Sequence, residues 1–246
     1  MILATAQTKP KRGNIKENLL DHYRLIEKAS DNGADLIVFP ETSITGYERE
    51  NADLLAFSFN DSRLANLIKF SVDKKITIIA GAPIKIKTDL YIGGFIIQPD
   101  GSIKIYTKQF LHSGEEVYYK SSFEYNPVIR LGNEWISLAI CFDIENSIHP
   151  KNASDNGCTL YVPTIFFTPN GISEAHKLLS SYAKKYSMQV LMSNFCAESW
   201  NVAAGGRSAF WDKNGNLIAE LDCYRSGLLI VKKNNDSWNG NIIYDN

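Results

Sequence analysis

Three side chains that could carry out acyl-transfer chemistry each follow an apolar, strand-like run. Glu41 comes directly after LIVFP, Lys108 ends the alternating segment SIKIYTK, and Cys141 ends WISLAIC. A thiolate can attack a carbonyl carbon, and a carboxylate can take and return protons. An ammonium or a backbone N–H can stabilise the oxyanion that forms. The three residues are therefore a candidate hydrolytic site, provided that the fold brings them together.

Each of these residues, considered alone, also has an ordinary structural explanation. A cysteine in a buried strand is most often a small apolar side chain, and a lysine at a strand end is usually a solvated charge. Glu41 could cap the next turn in solvent. However, Pro40 stops the strand ladder, and the end of a buried parallel strand is where ligand sites of α/β sheets form.

Strand-like and helix-like segments alternate along the chain and must position these residues. Apolar residues at i, i+3 and i+4 predict amphipathic helices, and short apolar runs between turn residues predict strands. Hairpins are expected at the turns PDG, GNE and NG, where glycine accepts a positive φ. We expect helices at 15–30, 62–74, 146–156 and 173–186, strands at 2–8, 35–39, 76–83, 159–164 and 189–195, hairpins at 90–108, 127–141 and 207–221, and a last strand at 227–233.

A weak internal repeat suggests two stacked halves. DNGADLIVFPET (31–42) is similar to DNGCTLYVPTIF (155–166), and in both a helix end leads into a strand. Such junctions could also converge on Asn-Gly independently. If the repeat is real, two sheets with helices on their outer faces would form a four-layer αββα sandwich. No linker separates the halves, so we interpret residues 1–246 as a single domain.

Composition excludes several classes of function. The chain has 246 residues, of which 44% are hydrophobic and 22% are charged, as in ordinary globular proteins. Its formal net charge is −1, which argues against a nucleic-acid partner. No apolar stretch approaches the roughly 18–20 residues of a membrane helix, and the N-terminal segment lacks the basic region of a signal peptide. We therefore expect a cytoplasmic protein with no membrane partner.

The four cysteines indicate neither a zinc site nor a disulfide framework. No CxxC pair and no histidine cluster accompanies them, so a metal site is not expected. A chain of this size without an export signal favours reduced, separate thiols. The four are Cys141, Cys158, Cys196 and Cys223.

Three segments, taken in order, resemble motifs of the nitrilase superfamily of carbon–nitrogen hydrolases: FPE, YTK with a following acidic pair, and ICFD. The three residues are separated by 67 (108 − 41) and 33 (141 − 108) positions. The resemblance extends from ATAQ near the start to GGRSAFWDKNGNLI near the end. It implies an αββα sandwich of two mixed sheets with outer helices, a homodimer or higher homo-oligomer, and no cofactor.

The resemblance also implies a role for each residue of the candidate site. Glu41 would be the general base, and Cys141 would attack the substrate carbon to form a thioester. The ammonium of Lys108 and the backbone N–H of Phe142 would hold the oxyanion. The expected reaction is hydrolysis of a small non-peptide amide or N-carbamoyl C–N bond that releases ammonia or an amine.

The family carries a second glutamate after the lysine, and two residues compete for this place. Glu115 lies seven residues after Lys108 and is followed four residues later by the aromatic Tyr119, as in the family motif. Glu116 is the alternative. We favour Glu115, which would orient Lys108 and the substrate nitrogen.

The sequence departs from the family where the substrate pocket is expected. KSS replaces the usual x-Pro-Gly after Tyr119, and Glu145 stands where many members have arginine two residues after the aspartate. Glu145 could contact a basic or amino-bearing substrate, or it could cap the following helix. The substrate is therefore not carried over from the family. Candidate pocket walls are Tyr47, Phe166, Phe167 and Trp200.

Other mechanisms and functions stay open at this point. The same thioester chemistry would serve a nitrile hydrolase or an acyl-transferase, and an inactive binding protein could retain the fold. A Cys–His dyad that uses His112 or His149 is the rival mechanism. His22 and His176 lie in helix patterns and are expected at the surface.

Overall fold

The computed structural model of the chain describes residues 1–235 and 237–245, which form two β-sheets with helices on their outer faces. The helices are α1 (Ile15–Asp31), α2 (Ala52–Leu55), α3 (Ala65–Lys74), α4 (Ile148–Asp155) and α5 (Ile172–Tyr186). The strands are β1 (Ile2–Gln7), β2 (Leu36–Val38), β3 (Thr77–Ile86), β4 (Asp89–Ile97), β5 (Ile103–Thr107), β6 (Ile129–Leu131), β7 (Glu134–Ile140), β8 (Leu160–Thr164), β9 (Gln189–Met192), β10 (Ala209–Trp211), β11 (Leu217–Glu220), β12 (Gly227–Asn234) and β13 (Ser237–Tyr244).

Both sheets are mixed. The first has the order β13-β12-β1-β2-β3-β4-β5, and β1, β2 and β3 run parallel within it. The second has the order β11-β10-β9-β8-β7-β6, and β7, β8 and β9 run parallel. Each sheet therefore has a central group of parallel strands, whose carboxyl ends are the expected place for a site.

Three apolar clusters build four layers from these sheets. Ile37 packs outward with residues of α1 and α3, whereas its neighbours Leu36 and Val38 point inward. The inward residues meet Leu138 of the second sheet. Leu179 of α5 packs with the outer face of that second sheet. Successive strand residues point to opposite faces of a sheet, and the apolar clusters cover both faces of each sheet. The predicted αββα sandwich is therefore confirmed.

One strand was missed. The segment at 227–233 was expected to be the last, but β13 follows it and pairs antiparallel along the whole of β12. Most of its side chains are exposed, as at an edge strand. Its sequence, SWNGNIIY, contains an Asn-Gly-Asn run that is typical of a turn, so it lacked the apolar alternation that predicts a strand.

The expectation that His22 and His176 lie at the surface was wrong. His22 stacks on Phe39 with ring centroids 4.0 Å apart, and its Nε2 lies 2.9 Å from the Ser43 hydroxyl. Burial lowers the pKa of His22 to about 4. His176 packs edge-on against Trp211 at 4.8 Å. Both side chains lie on the inner faces of their helices.

No helix in the described ranges combines the length and apolar character needed to cross a membrane.

A close backbone approach fixes the loop that carries Glu41. The backbone of β3 passes directly beneath it, and the Gly81 carbonyl accepts a hydrogen bond of 3.0 Å from the Ile44 N–H. A Cβ atom at Gly81 would lie 2.4 Å from the Thr42 nitrogen. Since the obstacle is backbone and not a flexible side chain, only glycine fits at this position without displacing Glu41 and Thr42.

We expect Gly81→Ala to lower the free energy of unfolding by about 2 kcal/mol, the cost of overpacking a rigid contact. Gly94→Ala is the matched control in the paired strand, because its nearest neighbour would be the Leu138 side chain at 3.7 Å. Urea denaturation of both variants checks the prediction. Equal stability of the two variants would contradict it.

Candidate active site

Glu41 lies where β2 ends. Phe39 makes the last ladder-like hydrogen bond, from its N–H to the Ile79 carbonyl at 2.9 Å, and Pro40 then ends the pairing. Thr42 follows in a left-handed conformation with φ 47°. The Glu41 side chain is turned inward and is 1% exposed. The alternative that Glu41 caps a turn in solvent is therefore wrong.

Lys108 lies just past the end of β5 and is completely buried. Its Nζ donates hydrogen bonds of 3.0 Å to Glu41 Oε1 and 2.9 Å to Glu115 Oε1. Burial lowers the pKa of Lys108, but the nearby Glu41, Cys141 and Glu115 outweigh this effect and hold it well above the usual value. The side chain is therefore a buried ammonium between two carboxylates.

Cys141 begins a short 3-10 helix (Cys141–Glu145) directly after β7. Its φ is 45°, a left-handed conformation that costs a non-glycine residue of the order of 1–3 kcal/mol. The Sγ atom lies 3.8 Å from the Phe166 carbonyl oxygen. The Phe142 N–H follows in the first turn of this helix, where backbone N–H groups have no intrahelical acceptor.

The protonation states of Glu41 and Cys141 follow from their burial. Burial and the charge of Glu115 raise the pKa of Glu41 to about 7, against the lowering effects of Lys108 and the Cys141 thiol. Burial and the charge of Glu41 raise the pKa of Cys141 well above its usual value. Within the described ranges, Glu41 Oε2 has no hydrogen-bond partner. A neutral thiol therefore lies in the same pocket as a carboxylate with a free oxygen that can accept its proton.

Glu115, and not Glu116, reaches Lys108. Glu115 is 2% exposed, and besides Lys108 its Oε1 accepts a 2.7 Å hydrogen bond from the Tyr47 hydroxyl. Its Oε2 accepts a 2.8 Å bond from the His112 N–H. Glu116 is exposed to solvent.

Asp143 ties together the two strand ends that carry Lys108 and Cys141. Its Oδ1 accepts from the N–H groups of Gln109 and Phe110 at 3.0 and 2.8 Å. Its Oδ2 accepts from the Ile140 N–H at 2.8 Å and from the Tyr106 hydroxyl at 2.6 Å. One buried carboxylate thus satisfies four donors from both sheets.

His149 extends this network and does not line the candidate pocket. Its two ring nitrogens lie 2.8 Å from the hydroxyls of Tyr106 and Tyr161. Burial lowers the pKa of His149. Since both nitrogens already have partners, His149 is a structural residue, and this arrangement gives no support to a dyad of Cys141 with His149.

The candidate pocket has a cavity volume of about 180 Å³ above the Cys141 thiol. Three of the four aromatic residues considered as walls line this pocket: the ring centroid of Tyr47 is 5.5 Å from that of Phe166 and 5.7 Å from that of Trp200. The lining residues are Glu41, Tyr47, Arg49, His112, Glu115, Cys141, Phe166, Trp200 and Val202.

Comparison with known proteins identifies the family to which this chain belongs. The family described as carbon-nitrogen hydrolase matches residues 2–238. The chain belongs to the carbon-nitrogen hydrolase family.

Several known proteins are similar to this chain. It is 32% identical to a 2-oxoglutaramate amidase of Bacillus subtilis, over 85% of this chain and 81% of that protein. It is 25% identical to a glutamine-dependent NAD(+) synthetase of Thermotoga maritima over 87% of this chain, which spans only 38% of the synthetase. The NitN amidase of Nesterenkonia sp. AN1 shares the fold, with a TM-score of 0.86 and 21% identity over 96% of this chain and 93% of that one.

Two side chains considered for the substrate pocket, those of Glu145 and Phe167, do not line the pocket of this carbon-nitrogen hydrolase. Glu145 is exposed and lines a separate cavity of about 590 Å³ along α5. Phe142 was expected to act through its backbone N–H, and its ring packs edge-on against His112, at 5.5 Å between centroids. Phe167, the fourth aromatic considered, lines the α5 cavity as well.

Arg49 and Val202 line the pocket and were missed. Arg49 belongs to TGYERE, where three charged residues in a loop predict only a solvated surface. Its position depends on packing against Trp200, which is 151 positions away in sequence (200 − 49), so no local signal could have indicated it.

We expect Asp143→Ala to lower the free energy of unfolding by about 3 kcal/mol or more, because it leaves several buried donors without an acceptor. Asp155→Ala is the matched control, since this exposed aspartate forms a surface ion pair with Lys151 and should change stability by about 0.5 kcal/mol or less. Urea denaturation measures both. A loss in Asp143→Ala as small as that in the control would show that the four hydrogen bonds do not stabilise the fold.

Proposed function

We propose that the protein hydrolyses a small non-peptide amide through a Cys141 thioester and releases ammonia. The observation that carries this proposal is the position of Lys108, completely buried and bonded to Glu41 and Glu115 beside the Cys141 thiol. Burying the ammonium of Lys108 with the carboxylates of Glu41 and Glu115 costs free energy, and pairing them adds little net stability. A purely structural origin is therefore a poor explanation for these three buried charges.

In the first step the thiol attacks the amide carbon. Glu41 accepts the thiol proton, the S–C bond forms, and the carbonyl π electrons move to oxygen. The ammonium of Lys108 and the backbone N–H of Phe142 stabilise the resulting oxyanion. Because the thiol pKa is raised, a base is needed for this attack, and the free oxygen of Glu41 suits that task.

In the later steps ammonia leaves and water takes its place at the acyl carbon. The C–N bond breaks as Glu41 returns its proton to nitrogen, and ammonia leaves a thioester on Cys141. Glu41 then takes a proton from water, whose oxygen attacks the thioester carbon. The C–S bond breaks, and the thiolate recovers the proton from Glu41 as the carboxylic acid departs.

Known relatives support an amide as the substrate. The Bacillus relative is a 2-oxoglutaramate amidase, and an amidase with the same fold carries covalent adducts at its active-site cysteine. A cavity of about 180 Å³ is below the range of drug-sized ligand sites, which favours a small molecule. An N-carbamoyl substrate, a nitrile or acyl transfer to an amine would use the same thioester.

The cytoplasmic location, homo-oligomeric state and single domain remain predictions from the sequence.

We expect the protein to release ammonia from short primary amides and Cys141→Ala to reduce this rate at least about 10³-fold, because the thioester cannot form. Cys158→Ala removes a thiol outside the pocket and should retain activity. Mass spectrometry of the native protein, quenched in acid during turnover of the best amide, should show an acyl group on Cys141, whereas Glu41→Gln, which lacks the base for the attack, should show none.

Each alternative gives a different outcome in the same assay. Release of ammonia from nitriles but not from amides would identify a nitrile hydrolase. Predominant transfer of the acyl group to added hydroxylamine would identify a transferase. No turnover of any amide or nitrile, with a Cys141 no more reactive than free cysteine, would indicate an inactive binding protein.

We expect kcat/KM for the amide to fall about tenfold per pH unit below pH 7 and to level off above it. The pKa of Glu41 is about 7, and only its deprotonated form can accept the thiol proton, so acid removes the active form. A pH–rate profile measures this limb, and the exposed Glu116→Gln should keep it unchanged. An activity that persists undiminished to about pH 5 would exclude Glu41 as a base with this pKa.

A further inference from the structure

Arg49 is a charged side chain of the pocket that the proposed chemistry does not use. It lines the cavity together with Cys141 and Glu41, and it is half-buried. The oxyanion already has Lys108 and the Phe142 N–H as donors. A second positive charge in so small a pocket therefore calls for another partner.

Three contacts hold the Arg49 guanidinium in place. Its Nε donates a 2.9 Å hydrogen bond to the Tyr47 hydroxyl, and its Cζ lies 4.4 Å from the ring centroid of Trp200. Its Nη1 makes a long contact of 3.5 Å with the Ser113 carbonyl. The Ser199 hydroxyl accepts from the Tyr47 N–H at 2.9 Å, which ties the Trp200 loop to Tyr47. Arg49 is thus oriented before a ligand binds.

The carboxylates near Arg49 are committed to other groups. Glu48 makes two hydrogen bonds to Arg12, at 2.7 and 2.9 Å. Glu50 accepts from the Trp200 Nε1 at 2.9 Å. Across residues 1–235 and 237–245, no carboxylate oxygen lies within 4.0 Å of the Arg49 guanidinium nitrogens, and Nη2 has no hydrogen-bond acceptor. The positive charge is therefore available to a ligand.

We propose that Arg49 binds a carboxylate at the far end of the amide substrate, so that the substrate is the monoamide of a short dicarboxylic acid. The planar guanidinium fork matches a carboxylate, and its charge would repel a cationic substrate. The cavity of about 180 Å³ contains both Arg49 and Cys141, so a short chain can contact the two ends at once. This inference rests on the proposed amide hydrolysis.

The test compares glutaric acid monoamide with the neutral pentanamide, which has the same chain length but no carboxylate. The native protein should prefer the monoamide, and Arg49→Gln should reduce the ratio of the two kcat/KM values about 10- to 100-fold, as expected for loss of a charged hydrogen bond. Arg49→Lys should lose part of the preference, because lysine lacks the fork. Arg130→Gln, at an exposed arginine outside the pocket, should leave the ratio unchanged.

Binding to the inactive Cys141→Ala protein provides a readout that does not depend on turnover. Calorimetry should detect the monoamide, and Cys141→Ala/Arg49→Gln should bind it at least about tenfold more weakly. An unchanged substrate ratio in Arg49→Gln, or an equal loss for both amides, would overturn the role of Arg49. So would absence of binding to Cys141→Ala. If that protein binds the monoamide through Arg49 while the native protein hydrolyses no amide, the proposed function fails and the carboxylate site stands.

Discussion

The buried ammonium of Lys108 needs carboxylate partners, and the rest of the structure must hold those partners in place. Moving an isolated charge out of water costs several kcal/mol, so Lys108 can be completely buried only if its partners are placed accurately. Those partners, Glu41 and Glu115, come from segments that are distant in sequence and lie within 3.0 Å of the ammonium. Three chain segments must therefore meet at one point, and the sandwich of two sheets provides a rigid frame for this.

Several unusual features follow from that requirement. Gly81 lets the β3 backbone pass beneath the Glu41 loop, and Asp143 joins the end of β5 to the end of β7. Cys141 has a left-handed backbone at the strand end, where its thiol enters the same pocket. Each feature costs free energy locally or leaves no tolerance for substitution. The apolar layers on both faces of each sheet supply the stability that offsets these local costs.

Features that depend on strand ends and motif order could be predicted from the sequence. Glu41, Lys108 and Cys141 stood out because each follows an apolar run, and their order pointed to the family and its sandwich fold. By contrast, β13 is a polar edge strand whose pairing comes from β12 and not from its own pattern. Arg49 was missed, and Glu145 was considered for the substrate but lines a separate cavity, because the direction of such a side chain depends on tertiary packing.

Tyr47 joins the two ends of the pocket into one hydrogen-bonded chain. Burial, followed by the charges of Glu115 and Glu41, raises the pKa of Tyr47, so its hydroxyl remains protonated. Its single proton is donated to Glu115, which in turn accepts from Lys108. The lone pairs of the hydroxyl are then left for Arg49, whose Nε donates to it. The direction of every bond from Arg49 to Lys108 is thereby fixed. Arg49, proposed to select the substrate, and Lys108, proposed to stabilise the oxyanion, are consequently joined by one chain of hydrogen bonds, and a shift of either side chain would lengthen the bonds that lead to the other.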